Sequence, residues 1–395
     1  MSKQLSENCI YFINMLRALI HRGPLPALPE GLDHSALYSV AEAQGLSCMV
    51  YHGLYELGFD KVTEPAATDF RTAHRAYVKH AVMQELEFNR FAAAMDTLGI
   101  DYMPLKGWFT RELYPDTVMR YMGDIDVLIR PEDNPRMYKT MLSMGYACDD
   151  YGMHESDNYR KGNMVFEVHY ALDSEGVKDP TVYADPFASA EDMGGHCRRM
   201  SPSDAYLYTV VHGMKHFMNS GTGLRTLLDI YLYIKSCDLD NERIEKLAAR
   251  MGVGKFLHAM QRLAIRTFGT AEPIAEGELS EDDIELLNFM LRSGSGGHTS
   301  TLDLALLNRS GHGGKGGSKA SYLFRMIFPT LKDMQKRDKA LRKHPWLLPV
   351  MYVRRWFQLL FGKRERIKNG IGRYNAIDDE AVEELRNVHR LAGLE

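Results

Sequence analysis

The chain has 395 residues, a formal net charge of −4 and 25% charged residues, which is typical of a soluble globular protein of about two to three domains. The small negative charge argues against general nucleic-acid binding driven by bulk positive charge. The five cysteines are scattered, odd in number and without CxxC spacing, so they indicate a reducing compartment rather than a disulfide framework. We see neither a signal-peptide pattern nor an apolar run of about 20 residues, and we expect a cytoplasmic protein without a transmembrane segment.

Helical spacing of apolar residues predicts that residues 1–97 form an N-terminal helical region. The predicted helices cover residues 9–20, 35–46, 48–57 and 68–98. Ser35 is the expected N-cap of the second helix, and Gly99 is expected to end the fourth. No residue pattern in this region indicates a particular chemistry.

From residue 100 the pattern changes to strands and short helices. We predict strands at 100–105, 124–129, 146–150 and 163–172, and helices at 108–114 and 133–144. This order is typical of a small α/β unit in which helices pack on a sheet of about four strands. We assign residues 98–200 to this core and predict an α+β fold with helical regions on both sides of it.

Helical spacing returns in residues 201–292, with helices predicted at 203–218, 224–236, 241–251, 254–268 and 281–291. Residues 293–319 are rich in Gly and Ser and are interpreted as a mobile loop or linker. Residues 320–395 form a basic, amphipathic region for which three interpretations are open. It binds an acidic partner or nucleic acid, it lies on a membrane surface, or it is the helical end of the C-terminal domain. Pro345 and Pro349 limit any long membrane helix and favour the last.

The strand predicted at 124–129 carries two carboxylates among apolar residues. Because side chains alternate across a strand, Asp124 and Asp126 share one face. A third acid, Glu167, lies in the strand predicted at 163–172. It shares a face with His169, and our hypothesis is that His169 orients it by hydrogen bonding. Buried carboxylates repel each other, and a bound cation is the usual compensation. An acid-x-acid strand beside a third acid suits phosphoryl or nucleotidyl transfer supported by Mg²⁺ or Mn²⁺, provided the two strands are adjacent. Taken alone, Glu167 is more typical of a solvated acid on an edge strand.

Other polar residues are candidates for binding a nucleotide. Lys106-Gly107 forms a turn between a strand and a helix, where free backbone N–H groups can bind phosphate oxygens. Arg120 is placed to reach a phosphate or the carboxylates, and Gly123 ends the turn before the acidic strand.

Two helical pairs are candidate pocket residues. His212 and His216 lie one helical turn apart, which is a metal-ligand spacing, but no Glu follows His212 as in zinc proteases. We interpret them as histidines on a buried or site-facing helix. Arg225 and Asp229 have the spacing of a helix ion pair, with a pocket-lining role as the alternative.

Four segments carry a resemblance to a known family: Leu105-Lys-Gly107, Tyr114-Pro-Asp116, Arg120-x-x-Gly-Asp-Ile-Asp-Val-Leu-Ile129 and Phe166-Glu-Val-His-Tyr170. They resemble the bacterial "uncharacterised nucleotidyltransferase" family of the DNA polymerase β-like nucleotidyltransferase superfamily. The resemblance implies that Asp124 and Asp126 bind the catalytic divalent metals. It also implies that Glu167 assists the metal site or activates the acceptor hydroxyl, and that Gly107 lies against the nucleotide phosphates.

The resemblance covers residues 98–172 and extends more loosely to the His212/His216 and Arg225/Asp229 pairs. It departs from the superfamily at Lys106-Gly107-Trp108, where Gly-Gly or Gly-Ser is usual. The predicted function is Mg²⁺-dependent transfer of a nucleoside monophosphate from an NTP to a hydroxyl-type acceptor, with release of pyrophosphate. The acceptor is a small molecule, a peptide or protein, or, less readily, a tRNA end, and the basic C-terminal region is a possible partner contact. The altered turn motivates the alternative, a catalytically weak or inactive, antitoxin-like binding protein.

Overall fold

In the computed structural model, the described residues are 4–149, 151–152, 156–172, 174–295, 328–331, 334, 341, 344–357 and 379–394. The Gly/Ser-rich segment predicted at 293–319 therefore lies almost wholly outside the described residues. Much of the basic region at 320–395 lies outside them as well.

The long helices and short strands follow the order expected from the sequence. The helices are α1 (Glu7–His21), α2 (His34–Ala43), α3 (Ser47–Glu56), α4 (Ala66–Leu98), α5 (Gly107–Thr110), α6 (Asn134–Ser143), α7 (Pro202–Asn219), α8 (Leu224–Ser236), α9 (Asn241–Met251), α10 (Gly254–Phe268), α11 (Glu281–Ser293), α12 (Leu348–Phe357) and α13 (Asp379–Leu391). The strands are β1 (Tyr102–Pro104), β2 (Ile125–Ile129), β3 (Ser156–Lys161), β4 (Met164–His169), β5 (Glu191–Asp192) and β6 (Arg198–Arg199). Short 3-10 turns span Phe59–Lys61, Arg111–Leu113, Thr117–Met119, Pro131–Asp133, Pro180–Tyr183, Pro186–Ser189 and Pro345–Leu347.

The central sheet has four strands in the order β1-β2-β4-β3. Strands β2 and β4 are parallel neighbours, whereas β1 and β3 pair antiparallel on the two outer sides. The register places Asp126 directly opposite Glu167. Because residues opposite each other in a sheet project to the same face, the two carboxylates are neighbours on one surface. The α+β fold is as predicted, and the two acidic strands are adjacent, which was the condition for a site shared by the acids.

The fourth strand differs from the prediction. Of the strand predicted at 146–150, residue 150 lies outside the described residues; residues 146–149 do not form a strand, and Ala147 makes only an isolated bridge to Arg160. The observed strand is β3, which forms a hairpin with β4. Its sequence, Ser-Asp-Asn-Tyr-Arg-Lys, is polar and lacks an apolar alternation. Backbone pairing with β4, rather than a hydrophobic pattern, therefore determines that these residues form a strand.

The N-cap of α2 is also corrected. Asp33 is the cap, and its carboxylate accepts hydrogen bonds from the backbone N–H groups of Ser35 and Ala36. Ser35 was predicted for this role but lies one residue inside the helix. Gly99 ends α4 in the left-handed conformation, as expected.

Among the described residues, three apolar clusters are buried around the sheet, and two of them are large. One face of the sheet packs against α4 and α6 through a buried apolar cluster that includes Phe91, Met137, Val127 and Phe166. A larger cluster joins residues of the N-terminal helices α1–α3 to residues of α7–α11. The two helical regions therefore meet beside the sheet. No helix among the described residues has both the length and the apolar character needed to cross a bilayer.

Candidate functional site

A cavity of about 360 Å³ is bounded by the polar face of the sheet and by helices α7 and α8. All twelve residues singled out from the sequence line this cavity. They come from the β1–α5 turn, the turn before β2, strands β2 and β4, and the two helices. They are Lys106, Gly107, Arg120, Gly123, Asp124, Asp126, Glu167, His169, His212, His216, Arg225 and Asp229. The fold thus brings together residues that are widely separated in the sequence.

Asp126 is the most heavily engaged carboxylate of the site. Its Oδ1 accepts a hydrogen bond from the Lys106 ammonium at 2.7 Å and another from His169 Nε2 at 2.9 Å. Burial would raise the pKa of Asp126, but the Lys106 charge and the His169 hydrogen bond outweigh it and hold the pKa well below the usual range. Burial lowers the pKa of Lys106, and the Asp126 charge more than offsets this and raises it. The pair is therefore ionised at neutral pH.

Glu167 lies beside Asp126 and is held from the opposite side. Its Oε1 accepts a hydrogen bond from Ser156 Oγ at 2.7 Å, and His169 Nε2 lies 3.9 Å from the same oxygen. Donor atoms of Asp126, Glu167 and His169 all lie within 4.8 Å of one another. The two carboxylates supply oxygen donors that suit a hard divalent cation such as Mg²⁺ or Mn²⁺, and His169 Nε2 donates to Asp126 and orients it. These residues therefore fit the metal that the sequence implies.

Asp124 lies just before β2 in a different environment. It lines the cavity but is outside the close group formed by Asp126, Glu167 and His169. Burial, followed by the charge of Asp126, raises the pKa of Asp124 to about 6. Two acids that are neighbours on one face thus have pKa values shifted in opposite directions.

The turn between β1 and α5 is backbone-strained. Lys106 has φ 46° and ψ −116°, a backbone conformation that residues other than Gly rarely adopt. Thr110 Oγ1 donates to the Lys106 carbonyl oxygen at 2.7 Å, and the neighbouring Leu105 N–H donates to the Asp126 carbonyl oxygen at 2.9 Å. These bonds hold the turn against β2. The Lys106 side chain consequently points at Asp126.

Gly107 is required at its position by close packing. A Cβ there would lie 2.3 Å from Arg120 Nη1 and 2.6 Å from Met122 Sδ. Only Gly therefore lets the turn before β2 approach the start of α5. Gly123, by contrast, meets no atom within 4 Å of an added Cβ and borders open space in the cavity.

Arg120 is tied to helix α8. Its Nε and Nη2 donate to the two carboxylate oxygens of Asp229 at 2.8 and 2.7 Å, and Tyr114 OH donates to Asp229 Oδ1 at 2.8 Å. Arg225 instead donates to the Tyr121 carbonyl oxygen at 2.9 Å. The interpretation of Arg225 and Asp229 as a helix ion pair is therefore wrong. The planar guanidinium of Arg120 donates to both oxygens of the Asp229 carboxylate. This bidentate geometry makes Arg120, rather than Arg225, the ion-pair partner of Asp229.

The two histidines of α7 face the same cavity. His212 Nε2 and His216 Nε2 lie 2.9 Å apart and share a hydrogen bond. Burial, and then the charges of Lys106 and His216, lower the pKa of His212 well below its usual value. His212 Nδ1 is buried and has no hydrogen-bond partner among the described residues. His212 is therefore a neutral imidazole at physiological pH.

Several functional residues were not anticipated from the sequence. Ser156 holds Glu167 from the strand that was not predicted. The cavity is also lined by Thr209, Lys215, Thr222, Thr226 and Ser295. A signal for the threonines was present. Thr209 precedes His212 by three positions and Thr226 precedes Asp229 by three, so each shares a helix face with a predicted residue.

Comparisons with known proteins place the chain in a family. A search of curated proteins finds no match. A solved structure, the solution structure of antibiotic-resistance factor ANT(2'')-Ia, is 17% identical, covers 46% of this chain and 96% of its own, and has a TM-score of 0.33. The sequence profile of the family described as "Uncharacterised nucleotidyltransferase" matches residues 30–269, which is more than half of the chain. The protein thus belongs to the uncharacterised nucleotidyltransferase family, as its motifs suggested.

Proposed function

We propose that this protein is a Mg²⁺- or Mn²⁺-dependent enzyme that transfers a nucleoside monophosphate from an NTP to a hydroxyl-type acceptor and releases pyrophosphate. Family membership supports nucleotidyl transfer as the reaction class. The observation that carries the proposal is the alignment of Asp126 with Glu167 on adjacent parallel strands, in one cavity with Asp124. A pocket of about 360 Å³ is in the size range of small-ligand sites.

Asp126 and Glu167 would hold the cation, with His169 beside them and Asp124 on the same side of the cavity. A bound divalent cation would neutralise triphosphate charge and favour ionisation of the attacking hydroxyl. Glu167 is hydrogen-bonded only at Oε1 among the described side chains. This leaves Oε2 available to accept the proton of an acceptor hydroxyl.

Positive side chains line the remainder of the cavity. Lys106 and Arg225 face it, and Arg120 contributes a guanidinium fixed by Asp229. Such groups attract a triphosphate and stabilise charge that develops on it during transfer. We propose a small molecule or an exposed peptide or protein side chain as the acceptor, with a tRNA end less favoured because the net charge is −4.

The proposal is tested by thermal unfolding with each NTP, with and without Mg²⁺. A ligand present at about a hundred times its dissociation constant stabilises the folded state by about 2.7 kcal/mol, which raises Tm measurably. We expect this rise to require both NTP and metal, and to be lost in Asp126→Asn. The matched control is Asp179→Asn, which removes a charge from an exposed site paired with Arg250. A full Tm rise in Asp126→Asn would refute the proposal.

Transfer itself is tested with NTP labelled at the α-phosphate. We expect label to move to the acceptor with pyrophosphate release in the wild type and in Asp179→Asn. We expect no transfer in Asp124→Asn or Asp126→Asn. Turnover that survives both changes would remove the carboxylates from the mechanism.

One observation favours a second candidate, a catalytically inactive nucleotide-binding or regulatory protein. The Lys106 ammonium lies 2.7 Å from Asp126 Oδ1, so a fixed cation already contacts this carboxylate. If Lys106 replaces the metal, NTP binding is independent of Mg²⁺ in the wild type and becomes Mg²⁺-dependent in Lys106→Met. If the protein is an enzyme, wild-type binding depends on Mg²⁺ and Lys106→Met weakens the affinity for NTP.

A further inference from the structure

A second group of metal-ligating side chains lies between helices α3 and α4. Cys48 and His52 are one helical turn apart on α3 and therefore share a face of that helix. His74 faces them from α4, which packs against α3. Donor atoms of these three side chains all lie within 4.8 Å of one another.

The separation between Cys48 and His74 matches that between two ligands of a single metal ion. Cys48 Sγ lies 3.3 Å from His74 Nδ1. In a tetrahedral zinc site, sulfur and nitrogen ligands are held about 3.5 Å apart by bond lengths of about 2.3 and 2.0 Å. His52 Nε2 is buried and has no hydrogen-bond partner among the described residues. An unpaired buried nitrogen is costly, and coordination of an ion by the ring would offset that cost.

We propose that Cys48, His52 and His74 bind a Zn²⁺ ion, independently of the nucleotide site. The donor set is one thiolate and two imidazoles, which suits zinc and is poorly suited to Mg²⁺. The nucleotide cavity has the opposite character, because carboxylate oxygens dominate its cation-binding group. The two donor sets therefore favour different ions.

Protonation states are compatible with binding. Burial, then the nearby His52, lowers the pKa of His74, which keeps its imidazole neutral. Burial raises the pKa of the Cys48 thiol to about 12, so at neutral pH the thiol enters the reaction protonated. Forming the zinc–sulfur bond breaks the S–H bond and releases that proton to solvent. The partly exposed imidazoles of His52 and His74 give the ion a route to the buried sulfur.

The location assigns the ion a structural role. Helix α3 packs against the 3-10 turn Thr117–Met119, which leads directly into Arg120 and the turn before β2. Asp116, the N-cap of that turn, acts electrostatically on both Cys48 and His74. A zinc ion with one thiolate and two neutral imidazoles retains a positive charge, which Asp116 would partly balance. The ion would thus join α3 to α4 beside the segment that shapes the nucleotide cavity.

The first test is metal content and cobalt spectroscopy of the untagged, full-length protein. We expect about one equivalent of zinc after purification in zinc-containing buffer. Replacement by Co²⁺ is expected to produce a near-ultraviolet band from thiolate-to-cobalt charge transfer. Cys48→Ser should lose the band, and His52→Gln should weaken cobalt binding at least about tenfold, because each removes a ligand. Cys9→Ser, which changes a thiol outside the cluster, should keep it.

A second variant tests whether the cobalt signal is independent of the nucleotide cavity. Asp126→Asn should leave the cobalt band intact, because the carboxylate cluster contains no thiolate. His52→Gln removes a partly exposed side chain, so it tests the site even if Cys48→Ser does not fold. A simple Cys48–His74 hydrogen bond predicts no charge-transfer band in the wild type. That result, or a band that persists unchanged in His52→Gln, would overturn the proposal.

Discussion

The two faces of the central sheet are built from the same strands and have opposite character. On one face, Val127 and Phe166 are fully buried against α4 and α6. On the other, Asp126 and Glu167 meet across adjacent strands and border a cavity. Because side chains alternate along a strand, residues of the apolar core and residues that line the cavity occupy alternate positions in β2 and β4. The comparison predicts that substitutions on the two faces affect different measurements.

The largest expected effect is on the apolar face. Phe166→Ala should destabilise the protein by about 3–5 kcal/mol, because it removes a fully buried ring and leaves a cavity. Urea unfolding measures this change, and transfer activity per folded molecule should stay near that of the wild type. Val165→Ala, on the same strand but partly exposed, is the control and should cost much less. Equal losses in the two variants would remove the distinction between the faces.

A carboxylate on the cavity face should show the reverse behaviour. Asp126→Asn is expected to lower NTP turnover by at least about 100-fold, equivalent to about 2.7 kcal/mol of barrier. Asp126→Asn should also lower the free energy of unfolding, because it leaves the Lys106 ammonium without its counter-charge, so turnover is compared per folded molecule. Initial rates with labelled NTP provide the measurement. If the free energy of unfolding fell by more than in Phe166→Ala while turnover persisted, the role of Asp126 would be structural rather than catalytic.

A smaller effect is expected from residues that position the carboxylates. His169→Gln should weaken divalent-metal affinity by about 10- to 100-fold, because His169 donates to Asp126 at 2.9 Å. Titration of Mn²⁺ followed by electron paramagnetic resonance measures the affinity directly. Ser156→Ala provides a comparison through Glu167 and should have a weaker effect, because a neutral hydroxyl donor is lost. Unchanged Mn²⁺ affinity in His169→Gln would exclude a role for this ring.

The smallest expected effect concerns pH. The pKa of Asp124 is raised to about 6, so the folded protein binds this proton more tightly than the unfolded chain does. The side chain therefore opposes folding above pH 6, and the penalty disappears as pH falls through 6 toward the unfolded value. Asp124→Asn should raise the Tm of the metal-free protein at pH 8 and leave it nearly unchanged at pH 4. A constant Tm difference across this range would contradict the assignment.

Lowering the pH should weaken metal binding, although it removes the penalty that ionised Asp124 imposes on folding. Mg²⁺-dependent NTP binding should weaken as pH falls below about 6, because protonation removes the Asp124 charge that favours a cation. The same pH profile in Asp124→Asn should be flatter. Thermal shifts at a fixed NTP and Mg²⁺ concentration are sufficient to compare the two proteins.

Local patterns predicted most of the framework. Helices α8, α9 and α10 have the bounds expected from their apolar spacing, and β2 and β4 lie where alternation placed them. The polar strand β3 was missed because its pairing, rather than its composition, specifies it. Helix α2 is capped two residues earlier than expected, because the Asp33 carboxylate accepts hydrogen bonds from the backbone N–H groups of Ser35 and Ala36.

The candidate site was only partly accessible from sequence. The motif residues were found because acids within apolar strands are unusual, and they all line one cavity. Their partners depend on tertiary structure. Arg120 joins Asp229 across 109 positions, a contact that no local spacing predicts. The Cys48-x-x-x-His52 spacing became notable only when the fold placed His74 beside it.

The bond between Arg120 and Asp229 has a consequence for dissecting the protein. Asp229 lies beyond the predicted boundary at residue 200, as do His212 and His216 of the cavity. A truncated version ending at that boundary would leave the Arg120 guanidinium without its counter-charge and open one wall of the cavity to water. Excising a buried ion-pair partner typically costs about 3–5 kcal/mol. A fragment that keeps these cavity contacts must therefore extend at least through α8, and the acidic strands alone, placed on another scaffold, would lack them.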